Sequence, residues 1–280
     1  MRQTKSSRAR GSVAEILFVL LLVLFFVCLF IRPHPGPDFA RKVKQKAQLH
    51  SLFAGLELFR NEFGSYPPSD ANDAAGVPYC GAMKLAEAIT GQDLLGVHVN
   101  SVFRADGQDG RGVLLYPSDP SKENMQERQG PFIQADSANA YRLVDIYGQG
   151  NTGPFPEDAF VCCDVYERER PGGRKIAMPI LYYRADTAST GHDPNDPENP
   201  DNIYGYRDNH ALVVLGVPGD PNAVHPLADS RRFYMNTRDE RVATKSQPYH
   251  ADKFILLSAG RDGLYGTSDD VFNFQWKYRE

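Results

Sequence analysis

Cysteine is scarce in this chain, four in 280 residues, with no CxxC pair and no Cys/His spacing of the zinc type, which excludes a zinc-finger scaffold. Cys28 falls within an apolar run, leaving Cys80, Cys162 and Cys163. That odd number allows one disulfide and one free thiol in an oxidising compartment, and the adjacent Cys162-Cys163 pair reads as buried in a strand. The seven histidines include no HExxH pair. Leu256-Leu257-Ser258-Ala259-Gly260 lacks the first glycine of a nucleophile elbow, and neither a P-loop nor a GxGxxG motif occurs. The chain therefore reads as non-enzymatic. Positive charge is also short: the formal charge is −4 and residues 1–37 hold five basic residues against one acid, so residues 38–280 carry −8. Such an acidic balance argues against a nucleic-acid partner.

What is abundant at the N-terminus is apolar sequence. The 16 residues from Ile16 to Ile31 carry no charge, and back to Val13 only Glu15 interrupts 19 residues. As a helix this run measures about 28 Å, close to a hydrocarbon core of about 30 Å, so a membrane-spanning helix is expected over residues 12–32. A secretory signal would end at a small-residue cleavage site, where this run meets Arg32-Pro33-His34-Pro35. Basic residues flank it on both sides, and the short basic leader, residues 1–11, favours an N-terminus inside. The expected location is thus the inner membrane, single-pass, with the C-terminal domain periplasmic or extracellular.

Pro33, Pro35, Gly36 and Pro37 make a break over residues 33–37, after which Asp38 is placed to cap a second helix. Phe39, Val43, Ala47, Leu52, Phe53, Leu56, Phe59 and Phe63 recur at helical spacing and predict a long amphipathic helix over 38–64. A short helix is expected near Gly81 to Thr90. The stretches 140–147, 160–166, 178–184, 211–217, 253–258 and 271–276 read as strands from their β-branched and aromatic content. One long helix followed by runs of strands predicts an α+β fold, the helix packed on an antiparallel sheet. The proline- and Asx-rich segment 186–209 and the polar segment 119–139, which has no clear period, read as loop-rich insertions.

The C-terminal segment 254–276 is the most informative. Phe254-Ile255-Leu256-Leu257-Ser258 enters a loop, Ala259-Gly260-Arg261-Asp262-Gly263-Leu264-Tyr265-Gly266-Thr267-Ser268-Asp269-Asp270, from which a second strand leaves at Val271. Hard cations such as calcium take several carboxylate and carbonyl oxygens, and glycines let a loop wrap around the ion. The alternative is a solvated hairpin whose Asp and Gly residues serve turns. Asp106-Gly107-Gln108-Asp109-Gly110 reads as a turn rather than a second cation loop.

Taken in order, the basic leader ending at Gly11, the apolar span, the helix ending Leu58-Phe59-Arg60-Asn61-Glu62-Phe63-Gly64-Ser65-Tyr66-Pro67-Pro68 and the Ser-Ala-Gly-Arg-Asp-Gly loop resemble the major (G-type) pseudopilins of type II secretion. The resemblance covers the first and last parts of the chain and implies a pilin-like fold that assembles with itself and other pseudopilins. It also implies calcium held by Asp262, Asp269 and Asp270 with carbonyls of Ala259 and Thr267. Prepilin peptidase would cut after Gly11; Ser12 then stands where the family has an apolar residue, and Glu15 falls fourth in the mature chain where the family has glutamate fifth. The alternative is a membrane-anchored binding module of the same fold that does not assemble and uses its insertions to hold a cargo protein or glycan.

Overall fold

The computed structural model describes residues 17–18, 20–22, 37–169, 175–220, 222–242 and 245–276. Gly11, Ser12 and Glu15 lie outside the described residues. The chain divides into two units, Met1–Ala40 and Arg41–Glu280. In the first, Leu17, Phe18, Leu20, Leu21 and Leu22 are helical and exposed. Among the described residues no helix is long and apolar enough to cross a membrane. The expected span over 12–32 is corrected on this finding, and with it the single-pass inner-membrane location: a span needs an apolar helix of about 20 residues, and the described residues contain none.

The long helix α1, Pro37–Phe63, starts on proline, whose missing N–H is no loss at a first turn, with Asp38 beside it. It stops where Gly64, at φ +81°, donates its N–H to the Arg60 carbonyl at 2.8 Å. Its apolar contacts with the core run through Leu49, Leu52, Leu56 and Phe59, and Gln45 and Gln48 are buried just before them, Gln45 Oε1 accepting the Val165 N–H at 2.8 Å and Gln48 Nε2 donating to the Cys163 carbonyl at 2.8 Å. Phe39 and Val43, expected on the buried face, are 60% and 50% exposed.

After α1 come α2 (Gly81–Thr90), the paired β1 (Val97–His98) and β2 (Arg128–Gln129), and the short helices α3 (Lys122–Gln126) and α4 (Ala135–Ala138). Next are β3 (Ala140–Arg142), α5 (Leu143–Tyr147), β4 (Phe160–Cys162) and the hairpin of β5 (Arg168–Glu169) with β6 (Lys175–Ile176). The chain continues through β7 (Leu181–Arg184), α6 (Arg207–Val213), α7 (Ser230–Thr237), β8 (Phe254–Ser258) and β9 (Val271–Phe272).

The class is α+β, but among the described residues the strands form small antiparallel sheets, three of two strands and one of three in the order β7-β8-β9. The expected long helix laid on one antiparallel sheet is therefore corrected. Strands of two to five residues make no surface along which a helix of about 40 Å could lie. The helix that lies closest to strands is the short α2, against β4 and β7. Its first residue, Gly81, sits so near β7 that a Cβ would overlap the Tyr182 carbonyl.

Strand β8 is buried along its whole length, which is why it reads as an unbroken apolar run. Its side chains alternate between two cores: Ile255 and Leu257 join Phe59, Met83, Leu212 and Phe233, whereas Phe254 and Leu256 join Leu52, Leu56, Leu85 and Ile89. Register pairs Leu181 with Leu257, and Ser258 with Val271. The stretch 211–217, expected as a strand, instead belongs to α6 and the turn after it. Cys80, Cys162 and Cys163 are free and buried, and burial pushes the Cys80 and Cys162 thiols up to about 11 and about 12.

Candidate functional site

The acidic loop begins where β8 ends. Ser258 Oγ donates to Asp164 Oδ2 at 3.0 Å and accepts the Gly260 N–H at 3.2 Å, fixing the exit of the strand. Gly260 turns the chain at φ +66°, where a Cβ would overlap the Asp269 carbonyl, so no other residue fits without strain. Tyr265 pins the far side: it is fully buried, its hydroxyl donates to the Pro179 carbonyl, and its N–H donates to His225 Nδ1 at 3.2 Å.

Between these anchors the aspartates turn towards one another. Asp262 Oδ1 accepts the Leu264 N–H at 2.8 Å, and the Asp262 N–H donates to Asp269 Oδ2 at 2.9 Å. Thr267 Oγ1 donates to Asp269 Oδ1 at 2.7 Å. Asp270 faces inward: Oδ2 accepts the Gly266 N–H at 2.8 Å, while Oδ1 is buried with no hydrogen-bond partner. Ala259 is fully buried at the strand end, and the Thr267 carbonyl accepts a long bond of 3.4 Å from the Asp270 N–H. The loop thus brings Asp262, Thr267 and Asp269 together and sets Asp270 behind them.

Burial, with the Asp269 charge adding to it, raises the Asp262 pKa. Burial also acts to raise Asp269, but hydrogen bonds from Thr267 and the Asp262 N–H outweigh it, and its net shift is downward. Asp270 is raised well above the carboxylate range, first by burial and then by the charges of Asp269 and Asp262 despite the Gly266 N–H. Three carboxyls share one loop, two of them resisting ionisation and one with an unsatisfied buried oxygen, and oxygen donors are the kind a hard cation takes. Among the described residues no three His, Cys, Asp or Glu side chains stand together as a metal-holding group, so an ion here would draw on carbonyl oxygens as well.

The other acidic loop serves turns. Asp106 accepts the Gln108 N–H at 3.1 Å and is held by Arg104, while Asp109 accepts the N–H groups of Arg111 and Val113 at 2.8 and 2.9 Å.

Sequence reasoning missed a set of buried ionisable groups on and around α2. Lys84 Nζ donates to the carbonyls of Asp70 and Asn72 at 2.8 and 2.9 Å, and burial lowers its pKa. Glu87 accepts from Tyr79 (2.8 Å), Gln92 (3.0 Å), Ser101 and Tyr116 (3.0 Å), while burial raises its pKa. Asp208 accepts from the Ser69 hydroxyl; it is half-buried by surface area, yet the protein packed around its carboxyl pushes it up to about 8. Nothing in local sequence marks these groups, since their partners come from other elements. Also unforeseen was a cavity of about 660 Å³ beside Asp270. No family model matches the chain, and comparison with curated proteins and with solved structures gave no match.

Proposed function

We propose that the chain is a structural, pseudopilin-like subunit that assembles with copies of itself or with related subunits, and whose C-terminal loop is fixed by calcium. The observation that carries the reading is the buried, partnerless Oδ1 of Asp270 behind the Asp262–Asp269 pair. Asp262, Asp269 and Asp270, with the carbonyls of Ala259 and Thr267, are the residues that would hold the ion. Calcium would neutralise carboxylates that now oppose one another, and binding the ordered loop alone would stabilise it. In this reading the ion orders the loop and takes no part in a reaction.

Assembly is supported by the first half of α1, where the apolar Phe39 and Val43 are each exposed. A neighbouring subunit covering them would bury apolar surface that this chain leaves open. The test is disulfide crosslinking of the full chain carrying Cys28→Ser together with Val43→Cys. Cys80, Cys162 and Cys163 are buried and will not compete. A covalent dimer under mild oxidation is expected, weakened by Phe39→Asp; a chain that stays monomeric at all concentrations contradicts assembly.

A further inference from the structure

The cavity beside the acidic loop is built by elements far apart in sequence. Lys42 and Lys46 project from α1, Asn236 and Arg238 lie at the C-terminal end of α7, and the tail of the last strand brings Phe274 and Trp276. Its volume, about 660 Å³, lies in the range of small-molecule sites. Two donors of its lining residues have no hydrogen-bond partner: Asn236 Nδ2, on a residue only 3% exposed, and Arg238 Nε, both closed off from solvent just beneath the wall. A buried donor left unpaired is costly, and a side-chain turn that brings either donor to a ligand acceptor in the cavity removes the penalty.

We propose that this cavity binds a saccharide bearing a carboxylate. Its aromatic wall is a continuous series: Tyr249 stacks on Phe274 at 4.1 Å and 14°, Phe274 meets Phe272 at 4.7 Å, and Phe272 meets Trp276 at 4.9 Å. Such ring faces pack against the C–H faces of a sugar ring. Charge selects an acid. Arg241 is already held by Asp239 at 2.6 Å, leaving Lys42, Lys46 and Arg238 on the wall against Glu240 and the inward-turned Asp270.

The end of α7 disfavours a phosphorylated ligand. A helix C-terminus carries partial negative charge and offers carbonyl acceptors, which suit sugar hydroxyls and oppose a dianion; phosphate sites use helix N-termini. Hydroxyl donors, ring C–H faces and one carboxylate are the combination a uronic-acid sugar supplies. This binding role needs neither calcium nor assembly, and the donors invoked lie outside the acidic loop.

Trp276 is the only tryptophan in the chain and lines the cavity, so its fluorescence reads occupancy directly. The full chain is titrated with digalacturonate, with lactose as a neutral disaccharide, and with inorganic phosphate and a nucleoside monophosphate. A saturable change with digalacturonate at a Kd on the order of 1 mM or tighter is expected, with lactose at least tenfold weaker. Arg238→Gln and the exposed Lys46→Gln should each weaken digalacturonate at least threefold and leave lactose unchanged; Lys46→Gln keeps the test valid if Arg238→Gln unfolds the chain. No saturable change with digalacturonate, equal affinity for lactose, or tighter binding of either phosphate compound overturns the proposal.

Discussion

The amide of Gly266 donates to Oδ2 of Asp270 at 2.8 Å, and Oδ1 of the same carboxylate is buried beside it with no partner. One oxygen is fixed by the turn and the other is left for something else. Because the folded-state pKa of Asp270 is raised, the group contributes stability that is fully present below its unfolded value of about 3.9 and is lost as pH rises through the folded value. Without a cation, the loop should therefore weaken as pH rises from about 4 towards neutrality. A divalent ion offsets that loss by taking the lone pairs that ionisation exposes.

Asp208 has the same sign. Burial pushes it up to about 8, so its contribution is present below about pH 4 and lost as pH rises through about 8, with a slope of up to about 1.4 kcal/mol per pH unit. In chelator, Asp208→Asn should flatten the fall in unfolding free energy between about pH 5 and 8, as measured by urea denaturation at each pH. An unchanged slope would show that Asp208 ionises normally in the folded protein.

Gly260→Ala places a Cβ at φ +66° against the Asp269 carbonyl. The expected loss is about 2 kcal/mol or more, read by denaturant midpoint. A neutral effect would mean that the loop relaxes away from the geometry that brings Asp262 and Asp269 together.

Leu52 and Val43 test which half of α1 is structural. Leu52 is fully buried and Val43 is 50% exposed. Leu52→Ala should destabilise the monomer by about 2–5 kcal/mol, and Val43→Ala by no more than about 0.5 kcal/mol. Equal losses would place Val43 in the core and remove the exposed apolar surface invoked for assembly.

Much of the local structure was legible because it depends on residues close in sequence. The apolar run of β8 lies between a turn and a Gly-rich loop, α2 follows its periodicity, and Gly64 stops α1. Stretch 211–217 was misread because its β-branched content favours a strand, whereas the neighbouring Asn209 locks a helix: its Oδ1 accepts the Ala82 N–H at 2.8 Å and its Nδ2 donates to the Tyr182 carbonyl at 2.7 Å. That tertiary contact overrides local preference. On α1 the apolar repeat extends back to Phe39, but burial begins at Gln45 and apolar packing at Leu49, where α2 and the strands reach the helix.

The candidate site divides in the same way. Three aspartates among glycines were visible as a loop, but not that Asp270 turns inward while Asp262 and Asp269 meet. The cavity was invisible, because Lys42, Asn236 and Trp276 share no local pattern.

The most direct measurement is the melting temperature of the full chain and of its Asp270→Asn variant at neutral pH, each with calcium and with chelator. Calcium at about 100 times its Kd should stabilise the unsubstituted chain by about 2.7 kcal/mol. Asp270→Asn, which removes a buried carboxyl that resists ionisation, should melt no lower than the unsubstituted chain in chelator and should lose most of the gain with calcium. Identical melting curves for the unsubstituted chain in calcium and chelator, or a full calcium gain in Asp270→Asn, would contradict a calcium-fixed loop.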